Sequence, residues 1–412
     1  MDSLTQIVLG AGVGELLLGR KLGNRAMVWG GLAATVPDLD VFLGAFLSPA
    51  ESLHTHRGFS HSVFFAAMAP ALYAYLIQKL YKSGLHEKKS WKATVASFTG
   101  LGFLFILAFP SLIAAFVGGT IPAIITFVIA GAAVFFLTKR FIKNYYKKEA
   151  ADIEIPTYSA LYWFFFWATF THPILDCFTV YGTQLFAPIS QVRISWDNIS
   201  VADPAYTLVF GIPLIVAAFY PRLSKTRFTW MLIGIGLSSL YMNSTFRNKQ
   251  VVNDVVDNTL EKNKIQADRY MTNPTILNNI LWTATIDTKD TIYFGMYSLF
   301  DTNKEIDLRP YAKNKQLLQD AKDDDYDINT IQWFSKDYYT VIKRKDGRLQ
   351  VNDMRYGIFG QEDEGEEAFI FRFILSKDEK GYYHIGDESQ GPPQNRDMKS
   401  AFGEMFNRAR GI

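Results

Sequence analysis

Three short stretches of this sequence carry histidine and aspartate at spacings that suit a metal ion. Residues 54–61 read HTHRGFSH, residues 37–40 read PDLD, and residues 171–177 read THPILDC. Neutral imidazole nitrogens and carboxylate oxygens are the donors that Zn²⁺ or Mn²⁺ accepts. His172 and Asp176 are four apart, so on a helix they share a face at roughly 6 Å. Pro173 lacks an amide hydrogen and suits a first turn, which predicts a helix starting at Thr171 or His172. Asp38 and Asp40 share a side only where the chain is locally extended after Pro37. The candidate ligands are therefore Asp38, Asp40, His56, His61, His172 and Asp176, holding one or two ions, zinc before manganese.

Each stretch also has an ordinary reading. PDLD alone is a helix start, with Asp38 as cap and Asp40 favoured by the dipole. The His172/Asp176 pair alone is a hydrogen-bonded helix pair, and HTHRGFSH alone is a solvated loop ending in a Ser60 cap. Their common depth and side favour one shared centre. His54, earlier in the loop, reads as solvated. Arg57 is suited to grip a phosphate or carboxylate through two parallel hydrogen bonds, or equally is a surface arginine facing the lipid headgroups. Arg193 and Asp203, in QVRISWDNISVADP, belong to an outer loop that could cover the site, with Asp203 a further ligand or a base. Glu15 lies in an apolar segment and calls for a cavity partner, whereas helix–helix bonding accounts for Gln6. Cys177 points about 100° away from Asp176 and is left out; as the lone cysteine it excludes an internal disulfide.

The elements that position these groups are membrane segments. The net charge of +2 over 412 residues hides two unlike halves. Residues 93–138 carry no charged residue or histidine, enough for two crossings of about 20 residues each, turning at Gly118-Gly119-Thr120-Ile121-Pro122. Further charge-free runs lie at 62–78, 157–171, 204–221 and 228–246. The expectation is a polytopic α-helical membrane domain over 1–245, with about eight hydrophobic segments, the first two short and broken. The opening lacks a basic leader and reads as a retained segment. Basic clusters at Arg20/Lys21/Arg25, 79–92, 139–148 and Arg222/Lys225/Arg227 thread onto one face, which should be cytoplasmic.

Residues 246–412 then form an extracytoplasmic α+β domain. Val251, Val252, Val255, Val256 and Leu260 recur at helical spacing. ILWTATI with TIYFGMYSLF, YYTVIKR with RLQVNDM, and AFIFRFIL with GYYHI read as hairpins. An amphipathic helix is expected near 396–409, and QEDEGEE as a solvated loop. Nothing points to nucleic acid.

Through these residues the first 245 positions resemble the LexA-binding, inner-membrane-associated hydrolases, also called membrane-bound metal-dependent hydrolases. The likeness rests on MDSLTQ, PDLD, HRGFSHS, HPILDCFTVYGTQLFAP and the later Asp203-Pro204, in that order. It implies a multi-pass protein of the cytoplasmic (inner) membrane, with Asp38, Asp40, His56, His61, His172 and Asp176 at the metal. Many members carry a histidine after the opening MD..T, where this chain has Gln6. The expected activity is metal-dependent hydrolysis of an ester or phosphoester of a lipid or cell-envelope precursor, with Arg57 as clamp. Two alternatives stand beside it: a cation or proton-coupled transporter, and a non-catalytic scaffold whose outer domain holds an envelope protein partner.

Overall fold

The computed structural model describes residues 1–118, 120–143, 154–358, 365–366, 368–386 and 398–411. The chain divides into two compact units, Met1–Pro70 with Trp163–Ile412, and Ala71–Tyr162.

In the first unit, helix α1 (Ser3–Leu22) starts on Asp2, whose carboxylate accepts from the Thr5 amide. Its 20 residues reach about 30 Å at 1.5 Å each, the thickness of the hydrocarbon layer. Gly23, at φ +60°, turns the chain into α2 (Asn24–Thr35). The two helices meet backbone to backbone: a Cβ at Gly10 would lie 2.4 Å from the Gly30 carbonyl oxygen, and one at Gly14 2.2 Å from that of Ala26. Small residues allow this approach between membrane helices.

At Pro37 the chain enters a 3₁₀ helix, Pro37–Phe46, rather than the extended stretch expected there. With three residues per turn, positions two apart point in different directions, which separates Asp38 from Asp40. Helix α3 (Pro49–Thr55) follows, held by a Ser48/Glu51 capping box, and then a 3₁₀ turn, Phe59–His61. Helix α4 spans Val63–Lys82. Helix α7 runs Tyr158–Asp176, so Pro173 lies inside its last turns and starts no helix. The apolar run before Pro173 is already helical, and neighbouring groups in a bundle absorb the missing amide bond.

Helices α8 (Pro204–Ala218) and α9 (Lys225–Asn263) complete the membrane part. The Asn24 side chain donates from Nδ2 to Ala218 O (3.0 Å) and Arg222 Nη1 to Lys21 O (2.8 Å). These bonds gather the first and fourth basic clusters at the end of α1 away from Asp2.

The second unit contains α5 (Lys89–Gly118) and α6 (Thr120–Phe141), which pack against each other about the expected Gly/Pro break. Gly119, and Lys147 and Lys148 of the third basic cluster, lie outside the described residues.

Among the described residues three helical stretches are long and apolar enough to cross a membrane by length and composition: Asn24–Phe46, Val63–Lys82 and Thr120–Phe141. This corrects the expected eight. A charge-free run is not yet a long apolar helix. Helix α8 has 15 residues, α1 buries glycines with Gln6 and Glu15, and the 39 residues of α9 pass from apolar to polar.

The C-terminal region is α+β. Helix α9 continues past the membrane part and packs Val252, Val255 and Val256 on Trp282, Ile286 and Tyr297. Strands β1 (Arg269–Pro274), β2 (Leu281–Asp287), β3 (Thr291–Ser298) and β4 (Arg309–Ala312) form one antiparallel sheet in sequential order. After α10 (Tyr326–Ser335), strands β5 (Tyr339–Lys343), β6 (Leu349–Asp353), β7 (Arg372–Lys377) and β8 (Tyr383–Ile385) form a second. The three expected hairpins are β2–β3, β5–β6 and β7–β8, and the closing helix is α11 (Met398–Ala409). Of QEDEGEE, residues 361–364 and 367 lie outside the described residues. The core of the second sheet includes Ala50 and Leu53 of α3, so this region grips the histidine-bearing loop.

Candidate metal centre

Four side chains from three separate stretches converge. Asp38 comes from the 3₁₀ helix, His61 from the turn before α4, and His172 and Asp176 from the end of α7. One donor atom of each lies within 4.8 Å of all the others. His61 Nε2 and His172 Nε2 are 3.0 Å apart. Asp38 Oδ1 is 3.5 Å from the first and 3.4 Å from the second, and Asp176 Oδ2 is 3.4 Å from both.

The tautomers follow from the far side of each ring. His172 Nδ1 faces Ala34 O at 2.5 Å, and a carbonyl only accepts, so Nδ1 carries the hydrogen. His61 Nδ1 lies 3.0 Å from Ser60 Oγ, whose own hydrogen goes to Asp40 Oδ2 at 2.8 Å, so this Nδ1 is also the donor. Both Nε2 lone pairs therefore point at each other and at two carboxylate oxygens. Four electron-rich atoms in one place repel unless they share a positive charge, whether a metal ion or a proton on one imidazole. Ligands about 2.0–2.1 Å from a tetrahedral zinc stand roughly 3.3–3.4 Å apart, close to the spacings of the five pairs just given. Asp176 Oδ2 is buried and has no hydrogen-bond partner among the described residues, as a ligand oxygen would. The residues present fit a divalent ion.

His61, His172 and Asp176 are fully buried, whereas the Asp38 side chain is 19% exposed and marks the accessible edge. Asp40 stands behind the four. It accepts from His56 Nδ1 (2.9 Å), the Arg57 amide (3.0 Å) and Ser60 Oγ, and it lies 3.2 Å from His61 Nδ1. That carboxylate-to-histidine arrangement orients a ligand and raises its basicity. His56 belongs to this outer layer too. Arg57, at φ +56°, donates from Nη1 to Thr179 Oγ1 (2.9 Å) and brings Nε to 3.4 Å from Asp176 Oδ2.

Asp203 is the N-cap of α8, accepting from the Tyr206 amide (3.1 Å) and the Tyr241 hydroxyl (2.8 Å), and it stands outside the four donors. His54 is half-buried rather than free in solvent: it stacks on Trp333 (4.2 Å) and Tyr326 (5.7 Å). Glu15 has the partner its position calls for, a buried ion pair with Arg227. Cys177 is buried outside the cluster.

Gln6 makes the helix–helix bond expected of it, to α7, and lands on a candidate ligand. Its amide donates to Asp176 Oδ1 (3.1 Å) and His172 O (3.3 Å) from a fully buried position, and the Met1 amino group also contacts Asp176 Oδ1. The signal was there: an amide one turn into an apolar helix, at the depth of the aspartates. Ser60 reads in the sequence only as a cap, and Thr179 gives no comparable sign.

Comparison with curated proteins and with solved structures finds no match. A family model described as YdjM inner membrane protein matches residues 1–251, and the chain belongs to this family of inner membrane proteins.

Proposed function

We propose that this inner membrane protein is a metal-dependent hydrolase acting on an ester or phosphoester of a lipid or cell-envelope precursor at the outer interface. The observation that carries the reading is the convergence of two imidazole lone pairs and two carboxylates, with one accessible edge. Bound there, a divalent ion would supply an activated water and polarise the ester oxygen. In this reading Asp40 fixes His61, and Arg57 steadies the anionic group of the substrate. Asp38 Oδ2, which accepts from Ser3 Oγ (3.2 Å) at the open edge, would face that water and orient it by accepting a hydrogen bond.

The surroundings favour an amphiphilic substrate. Leu39, Phe42 and Phe46 of the same 3₁₀ helix, and Leu4 next to Ser3, are all exposed. The basic residues gathered at the opposite end of α1 support an outward orientation of the centre and of the C-terminal region. One observation favours a second reading, a structural metal: four protein donors, three of them fully buried, resemble the closed set of structural zinc.

Elemental analysis of purified wild type, His61→Ala and Asp176→Ala tests the site, together with a screen of phospholipid and isoprenoid-phosphate substrates. We expect stoichiometric metal and turnover in the wild type and neither in the variants. Metal retained in both variants would sink the site; metal without turnover on any substrate would favour the structural reading.

A further inference from the structure

Arg193 is buried, yet no carboxylate pairs with it among the described residues. Its hydrogen bonds go to main-chain carbonyls instead: Nε to Tyr181 O (3.0 Å), Nη2 to Gly182 O (3.1 Å), and Nη1 to Leu53 O and His56 O (both 3.5 Å). Two of these acceptors lie just beyond Asp176, and two lie on the loop that carries Arg57 and His61. One guanidinium thus bridges the two segments that deliver the centre.

The same seam is closed by Gln184, whose amide nitrogen donates to Arg57 O (3.0 Å) and whose side chain donates to His54 O (2.7 Å). Val63 N donates to Leu185 O (3.0 Å). The flat faces of Arg193 are covered by Tyr181 (4.4 Å) and by two residues of α10, Trp333 (5.3 Å) and Phe334 (5.4 Å). Trp333 also donates to Gln191 O (3.0 Å), and Lys336 to Ser195 Oγ (2.5 Å), so α10 grips the Arg193 loop on both sides. A buried cation held only by carbonyls and rings is expensive, and its planar fork is what four carbonyls in two segments require.

We propose that Arg193 is a positioning residue for the metal centre, and that the C-terminal region clamps it there through Trp333 and Phe334. The proposal rests on the metal reading above. It makes the C-terminal region part of the centre's architecture rather than an appendage.

The test uses the full-length protein in detergent, loaded with Zn²⁺ or with Co²⁺ as a spectroscopic probe. Metal affinity is measured by chelator competition, beside the thermal stability of the metal-free form. Arg193→Gln should lose about 10-fold or more in affinity, the range for residues that orient ligands, and should alter the Co²⁺ visible spectrum. Arg193→Lys, which keeps the charge but not the fork, should recover only part of this. Trp333→Phe should retain wild-type affinity, and Trp333→Ala should not. If Arg193→Gln does not fold, Gln184→Met and Trp333→Ala carry the test on the same seam. Unchanged affinity and an unchanged Co²⁺ spectrum in the folded variants would overturn the proposal, even with lowered stability. Wild type that binds neither ion would instead sink the metal reading beneath it.

Discussion

Helix α1 touches two buried charged clusters, one near each end, and they are built on opposite principles. Near its C-terminal end Glu15 meets Arg227, and every nitrogen of the guanidinium group donates: Nε and Nη2 to Glu15, Nη1 to Asn24 Oδ1 (2.7 Å) and Tyr220 O (3.1 Å). At the other end Gln6 meets Asp176 in a layer where Asp176 Oδ2, Arg57 Nε and Gln6 Oε1 have no hydrogen-bond partner among the described residues. The first cluster is complete in itself. The second is complete only with something added. Between them the buried residues of α1 are Gly10, Gly12 and Gly14, which offer no polar path.

The sharpest way to break the comparison is to remove one charge at each end. Glu15→Ala leaves a buried guanidinium uncompensated and should cost about 3–5 kcal/mol of stability, with metal per folded molecule unchanged. Replacing both partners, Glu15→Leu with Arg227→Leu, should recover most of that loss. Thermal unfolding in detergent with elemental analysis of the folded fraction measures both. Metal lost in proportion to stability would show that the two ends are not independent.

Within the metal layer, Asp38→Asn and Asp40→Asn sharpen the distinction between ligand and support. Asp38 faces both Nε2 atoms, so Asp38→Asn should lower metal affinity by more than about 100-fold, beyond the usual range for outer residues. Asp40 touches only the far side of His61, so Asp40→Asn should cost roughly 10–100-fold. Equal losses would mean that the inner and outer assignments are wrong.

The sequence made the His172/Asp176 pair legible because a four-residue spacing on a helix has one geometric meaning. It also made the three hairpins legible, since alternating strands around DTKD, KDG and SKDEKG have few other uses. The division between Asp38 and Asp40 was hidden because it depends on whether the backbone after Pro37 extends or coils. The Glu15–Arg227 pair was half visible: the lone acid demanded a partner, but nothing local chose one 212 positions away. The segment count failed for another reason. Absence of charge is not apolar length: glycine seams and polar helix ends satisfy the first without the second. The environment of His54 was out of reach, because its stacking partners belong to a part of the chain whose packing no membrane motif describes.

His54 supplies the smallest effect. It lies in the same HTHRGFSH stretch as His61, yet it serves the junction with α10 instead of the metal. Burial, with Arg193 adding, lowers its pKa below the ordinary 6.5. The native imidazole thus stays neutral at a pH where the unfolded chain takes up a proton. Where the unfolded state binds more protons, stability rises with pH, so it is lost as pH falls from 6.5 toward the depressed native value and is level above 6.5. His54→Phe keeps a flat ring on Trp333 and has no proton to gain. The variant should match wild type near neutrality and become the more stable of the two in mild acid, with metal affinity at neutral pH unchanged. The gap should be small, because the ring is only half-buried and solvent screens it. A loss of metal affinity in His54→Phe at neutral pH would instead move this histidine into the working set and redraw the line between junction and centre.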